Sequence, residues 1–343
     1  GNVVRCRPPD NRTPKPNELA ACWGAYGLHD VTLHTPRVIV PLGGVPLSQL
    51  ISGARISEYE RVMTPAWVDG TPTWVLPMYH PSYLIRQGGE ESELHRFWVH
   101  ALDNLREQIL DGLDAPVLPD PSTYRSEIEC LLPAALIQRC RDSLPIIGKA
   151  LSVDLETTGL MPWEKNARIL SASISNGSTT IAFLVDHPEN PHKDLARHVL
   201  LKILQQADVL IAHNAVFEIR WLSAAYGAQV FSWNWADTMA RAYAAHGATK
   251  RAGADEEATG TRLGSLGNQT QINYGFNVKS LTNVDPMKWK STPVKDYLLY
   301  NGLDAKWTWK LWHEKLSPEL KVEVERQRGA VRAAAAISWR GML

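Results

Sequence analysis

"LSVDLETTGL", residues 151–160, is the stretch on which the reading of this chain turns. A mostly apolar run leads into Asp154, Leu155 and Glu156, and Thr157, Thr158 and Gly159 follow. Side chains alternate across a strand, so Asp154 and Glu156 share one face. Two ionised carboxylates on a buried face carry a large desolvation cost. A bound divalent cation removes it, and hard oxygen ligands suit Mg2+ or Mn2+. An acid-x-acid pair alone is weak evidence, because many strands end in solvated acids.

Two further segments strengthen it. "AHNAVFEIRWL" (212–222) puts Glu218 four residues after Asn214, at the start of a helix that follows a buried strand. "YNGLDAKWTW" (300–309) puts Tyr300 and Asp304 four apart on a helix, hence on one face. Each has a bland alternative, a solvated glutamate and a Tyr–Asp surface pair. The ordered combination is much rarer than its parts. Asp237 in "WADTM", near the site in sequence, reads as structural or as a support behind the metal-binding acids.

Working outward, "GKALSVDLE" (148–156), "RILSASIS" (168–175) and "TTIAFLVD" (179–186) read as three successive strands. "KDLARHVLLKILQQA" (193–207) is an amphipathic helix, "DVLIAHN" (208–214) a buried strand, and "AVFEIRWLSAAYG" (215–227) a helix closed by Gly227. "KDYLLYNGLDAKWTWKLWHEKL" (295–316) is a long helix. Strands followed by alternating helix and strand give an α/β layout. The small, charged stretch 246–264 reads as a mobile loop. Residues 1–113 form an earlier unit. In it "NVVRC" (2–6) and "RVIVPLG" (37–43) read as strands, "TWVLPMYHPSYLI" (73–85) as a strand and loop, and 92–110 as a closing helix. Residues 114–145 begin in a Pro- and Asp-rich stretch and read as a linker, 146–316 as the second domain, and 317–343 as a terminal helix or the start of a further domain.

The chain has 343 residues, enough for two domains. Its 36 basic and 36 acidic residues cancel, which excludes a strongly basic nucleic-acid coat but not local contact with DNA. No apolar run is long enough for a membrane span, and the N-terminus lacks a signal-peptide layout. Cys6, Cys22, Cys130 and Cys140 are too few for a disulfide scaffold.

On these motifs, residues 146–316 resemble the 3′–5′ exonuclease (proofreading) domain of family A DNA polymerases, in the tyrosine class of DEDD exonucleases. "DLETTGL" (154–160) matches the first motif. "HNAVFE" (213–218) matches the second, with Glu218 where Asp is usual, and "YNGLDA" (300–305) matches the third. The resemblance implies a ribonuclease H-like domain that cleaves DNA at single-stranded 3′ ends with two Mg2+ or Mn2+ ions. Asp154, Glu156 and Asp304 would hold one ion, Asp154 would bridge to the second, and Glu218 would reach the second through water. Tyr300 would orient the attacking water. Thr157 and Leu160 would contact the terminal nucleotide, with Asn214 near the strand. "WRGML" (339–343), after an amphipathic stretch, is similar to the first helix of the polymerase domain in such chains. The expected whole is a phage-type polymerase in the cytoplasm of a bacterial or phage-infected cell.

Residues 1–110, through "NVVRCRPPDNRTPKPNELAAC" (2–22), "PRVIVPLGG" (36–44) and "LPMYHPSYLIR" (76–86), resemble the family 4 uracil-DNA glycosylases, an α/β/α fold. The resemblance implies that Cys6 and Cys22 are two of four thiolate ligands of a [4Fe–4S] cluster, that Asn2 reads a flipped uracil, and that His80 stabilises charge on the departing base. The family's Cys-x-x-Cys segment and Gly-rich motif are not in this chain, so cluster and glycosylase activity are in doubt. Cys130 and Cys140 read as core cysteines. Two other functions compete: a DNA-binding accessory module whose nuclease is silenced by Glu218, and an RNA-trimming exonuclease of the ribonuclease D kind.

Overall fold

The structure is a computed structural model and describes residues 1–142, 148–246, 264–315 and 318–340. The loop expected over 246–264 falls almost wholly outside the described residues. Two compact units are present, and each is described by itself.

The first unit comprises residues 1–119 with 271–276. Its sheet has the order β1-β3-β2, from β1 (Val38–Ile39), β2 (Thr64–Val68) and β3 (Thr71–Val75). β1 pairs parallel and β2 antiparallel with β3. Asp69 and Gly70 make the hairpin turn with φ of 49° and 74°. That is the left-handed pair a two-residue turn needs to follow the strand twist. Leu47, Leu50, Ile51, Tyr59, Ala66, Val68 and Val75 form the core. The expected closing helix spans Glu93–Leu110, starts at the Ser92 cap, and buries Leu94 and Leu105. Two expectations fail here. Residues 2–6 form no strand, since no neighbouring chain pairs with them and most are exposed. "HPSYLIR" is not loop but opens a helix over Pro81–Arg86, because His80 caps it and Pro81 sits at its first position.

The second unit comprises the described residues of 120–246, 264–270 and 277–340. Its six-stranded sheet has the order β4-β7-β6-β5-β8-β9. The strands are β4 (Ile128–Leu131), β5 (Ala150–Thr157), β6 (Ile169–Ser175), β7 (Thr180–Leu184), β8 (Val209–Ala212) and β9 (Trp235–Asp237). The β5-β6-β7 meander is antiparallel, and β8, β9 and β4 add in parallel. The stretch read as a linker therefore contributes strand β4 and a helix over Pro133–Asp142, because Ile128 and Leu131 are buried in the sheet.

One sheet face is greasy. Ala172, Ile174, Leu151, Val153 and Leu155 pack under the helices Lys193–Gln205 and Ala215–Tyr226. The other face of β6 is lined by Ser171, Ser173 and Ser175, all fully buried. These small hydroxyl residues let the helix Val294–His313 lie close on the sheet and hydrogen-bond its backbone and Asn301. Ser152 Oγ donates to the Ala305 carbonyl at 2.7 Å, Ser173 Oγ to the Asn301 carbonyl at 2.7 Å, and Ser171 Oγ to Asn301 Oδ1 at 2.9 Å. Gly302 gives the clearance: a Cβ there would collide with Ile128. Buried Lys306 fixes the helix further, with Nζ donating to the Gly177 carbonyl and pairing with Glu127 at 2.7 Å. The helix Pro318–Arg340 buries Val324 and Ala335 against this unit, and Arg328 Nε donates to the Trp235 carbonyl.

Candidate active site

β5 carries Asp154 and Glu156 on one face, and the serine-seated helix brings Asp304 to them. Single carboxylate oxygens of Asp154, Glu156 and Asp304 all lie within 4.8 Å of one another. Asn301 ties helix to strand at this point: its Nδ2 donates to Asp154 Oδ2 at 2.6 Å and to the Asp154 carbonyl at 3.2 Å. Glu218 lies outside that trio, on the first turn of the helix Ala215–Tyr226, and is 2% exposed. Its Oε2 is buried with no hydrogen-bond partner.

The acids raise one another's proton affinity. Burial pushes Asp154 up to about 7, with the charge of Asp304 adding to it. Glu156 is held well above the ordinary glutamate range by burial and then by Asp154 and Asp304. Glu218 is raised likewise by burial, then by the charge of Asp154, which places it in the same field. Asp304 is raised by burial alone, opposed by Lys279. Carboxylates that destabilise one another in this way, Asp304 and Glu218 buried and Asp154 and Glu156 half-buried, are the state a bound cation relieves. The orphaned Glu218 oxygen and the trio of oxygens thus fit hard divalent ions. His213, at the start of the second motif, is lowered to about 4 by burial, and its Nδ1 meets the Thr238 hydroxyl at 2.8 Å.

Asp237 shows why the second motif adopts its shape. Its carboxylate accepts from the backbone N–H groups of Asn214 and Ala215 at 3.0 Å and of Met239 at 2.8 Å, with Ala240 at 3.3 Å. One side chain caps the helix bearing Glu218 and the helix Thr238–His246 together. Asn214 takes the left-handed conformation at φ 74°, turning the chain from β8 into the first of these helices. Thr157 Oγ1 donates to the Gly159 carbonyl at 2.6 Å and shapes the turn that leaves Leu160 70% exposed.

Tyr300 is buried, and its hydroxyl accepts from Lys279 Nζ at 2.7 Å. The same ammonium forms an ion pair with Asp304. Lys279 was not foreseen. It sits in a short 3-10 turn, Val278–Ser280, with no periodicity to mark it. Asn301, inside the third motif, was passed over too, although an amide between Tyr300 and Asp304 was the available signal.

In the first unit, Asn2 and His80 line one cavity of about 720 Å³, together with Gly43, Gly44, Asp30 and Pro41. His80 Nδ1 accepts from the Ser82 N–H at 3.2 Å and lies 2.8 Å from the Ser82 hydroxyl, which fixes the ring at the start of its helix. Cys6 is exposed, and Cys22 ends the helix Pro16–Cys22 half-buried. Cys130 on β4 and Cys140 belong to the other unit, the first with its thiol raised by burial. Among the described residues, no group of three or more converging His, Cys, Asp or Glu side chains contains a cysteine. A [4Fe–4S] cluster needs four ligands. Cys6 and Cys22, the two cysteines among the described residues of the first unit, are two fewer than that set.

Comparison with known proteins agrees with this division. Residues 1–106 match the uracil DNA glycosylase superfamily and residues 132–321 match a family described as 3′–5′ exonuclease. The type-4 uracil-DNA glycosylase of Thermotoga maritima is 44% identical over 91 residues, 26% of this chain and 46% of that protein. Its Pyrobaculum aerophilum counterpart is 31% identical over 111 residues, 30% of this chain and 56% of that protein. The chain thus spans about half the length of the curated relatives it matches. Among solved structures, Brucella melitensis NrnC with bound Mg2+ aligns at 17% identity and a TM-score of 0.37, over 61% of this chain and 88% of that one. The exonuclease match covers more than half of the sequence, and by it the chain, an α/β protein with a glycosylase-like unit in front, belongs to the 3′–5′ exonuclease family.

Proposed function

We propose that the second unit is a proofreading-type nuclease that hydrolyses phosphodiesters at the 3′ ends of single-stranded DNA, within a DNA polymerase that carries the glycosylase-like unit. The observation that carries it is the convergence of Asp154 and Glu156 from β5 with Asp304 from a helix far along the chain. Asp154, Glu156 and Asp304 would hold one divalent cation, and Asp154 with Glu218 a second. When bound, such ions stabilise the attacking and leaving oxygens of an in-line displacement.

The chain's own groups do the rest. Asn301 holds the Asp154 carboxylate in one orientation, so the donor set is fixed before substrate arrives. Tyr300, through its hydroxyl, is the group that orients the attacking water. Exposed Leu160 offers an apolar contact to the terminal base, and Thr157 shapes the turn that presents it. Glu218 supports activity despite its extra methylene, since a water-mediated contact tolerates a longer arm.

We assign residues 1–113 to a DNA-holding unit whose cavity, with Asn2 and His80, takes an extruded base, and residues 317–343 to the start of the polymerase. Polymerisation and location in a bacterial or phage-infected cell stand as parts of the same proposal. No helix among the described residues is long and apolar enough to cross a membrane.

The test is 5′-labelled single-stranded DNA with Mg2+ or Mn2+, comparing the chain with Asp154→Ala. Stepwise shortening from the 3′ end by the unaltered chain alone is expected. No shortening by either protein overturns the nuclease in favour of a DNA-binding module, and much faster loss of an RNA of the same sequence overturns the DNA assignment.

A further inference from the structure

Lys279 is the one ammonium group that, among the described residues, forms an ion pair with the carboxylate trio. Its Nζ pairs with Asp304, donates to the Tyr300 hydroxyl at 2.7 Å, and lies 4.4 Å from the centre of the Tyr300 ring. A single cation therefore occupies both functional members of the third motif. The backbone beneath it is fixed: Asn277 Oδ1 accepts from the Lys279 N–H at 2.9 Å, and Thr270 Oγ1 accepts from the N–H of buried Val278 at 3.0 Å. The side chain above keeps 40% of its surface exposed. The group is thus a partly exposed cation on a rigid base, with its tip in the carboxylate pocket and its stem along a path to solvent.

Resting on the metal-site reading above, we propose that Lys279 is the resident counter-ion of the metal-free site and that metal loading is an exchange of cations. Asp304 cannot offer the same lone pairs to an ammonium and to a divalent ion, and the two positive charges repel at contact distance. Loading thus expels the ammonium, and the same movement releases the Tyr300 hydroxyl. The tyrosine becomes available to position water only once the carboxylates hold metal. Lys279 is a positioning residue in this scheme. It offsets carboxylate repulsion in the empty site and lowers metal affinity in proportion.

The test is calorimetric titration of the full chain with Mn2+, on the unaltered protein, Lys279→Met and Lys279→Arg. Lys279→Met is expected to bind Mn2+ roughly tenfold more tightly and to melt at lower temperature without metal, whereas Lys279→Arg, which keeps the competing charge, stays within about twofold of the unaltered chain. A side chain that merely braces the fold gives the opposite sign, weaker binding in Lys279→Met. Equal or weaker binding in Lys279→Met overturns the exchange, while no Mn2+ binding by any of the three overturns the metal site itself. The unaltered chain gives an independent readout should Lys279→Met not fold. After reductive 13C-methylation, the Lys279 methyl resonance is expected to move to the free-lysine position on saturation with Mg2+. A resonance that stays in place overturns the exchange.

Discussion

Replacing Asp154 with asparagine sets catalysis and stability against each other. Asp154 is held at about 7, against an ordinary 3.8, by burial and by the charge of Asp304. That displacement corresponds to about 4 kcal/mol of native-state penalty above neutral pH, from roughly 1.4 kcal/mol per pH unit. It is a ceiling, because the charge is shared across the cluster and Lys279 attracts it. The substitution keeps the shape and an acceptor for Asn301 Nδ2, now donating at 2.6 Å. Asp154→Asn should therefore gain about 1–3 kcal/mol without metal at about pH 8. The sign follows from proton binding. A carboxyl raised in the folded state holds its proton there longer than in the unfolded chain. Stability of the unaltered protein is then whole below the unfolded value near pH 4 and declines as pH rises to about 7. The advantage of Asp154→Asn should be close to nil near pH 4, grow across that window and level off above it. Urea melts in EDTA across this range measure it, and a 3′-end cleavage assay with Mg2+ should show activity gone. A variant less stable than the parent at about pH 8 in EDTA, or a gain independent of pH, refutes the reasoning.

Three further outcomes are expected. Gly302→Ala sets a methyl against Ile128 where the helix meets β4, and should cost about 1–3 kcal/mol in a denaturant melt, with reduced cleavage as Asp304 shifts. Asp237→Ala strips four backbone N–H groups of their acceptor at two helix starts; a loss of about 2–4 kcal/mol is expected in thermal denaturation, with Asp237→Asn recovering part of it. His80→Ala should leave the 3′-end cleavage rate unchanged, since His80 lines the cavity of the first unit, and a large fall would show that the two units share a site.

The parts of the fold that were legible share a physical cause. β5 could be read because a buried strand that turns abruptly acidic has few explanations. The helix Val294–His313 could be read because its apolar spacing persists for five turns. β4 was hidden because its four residues follow a Pro- and Asp-rich run, and its partner β7 lies some fifty residues on. β2 was missed although Asp69-Gly70 advertises a hairpin. The strand expected over residues 2–6 failed because apolar residues alone do not make a strand without a neighbour. At the site, Asp154, Glu156 and Asp304 were visible as acids in an ordered set. Asn301, Ser171 and Ser173 were not, because their role comes from helix-on-sheet packing that no local pattern encodes. Lys279 was invisible for the same reason: a lysine in a short turn resembles any solvated lysine until the fold places its tip against Asp304.

The most direct test of the central claim is Mn2+ anomalous diffraction from crystals of this chain soaked at saturating metal. A peak about 2.0–2.2 Å from carboxylate oxygens of Asp154, Glu156 and Asp304, with Lys279 Nζ withdrawn, is the expected result. Saturating Mn2+ that leaves these three acids without a bound ion, and Lys279 still seated on Asp304, would contradict it.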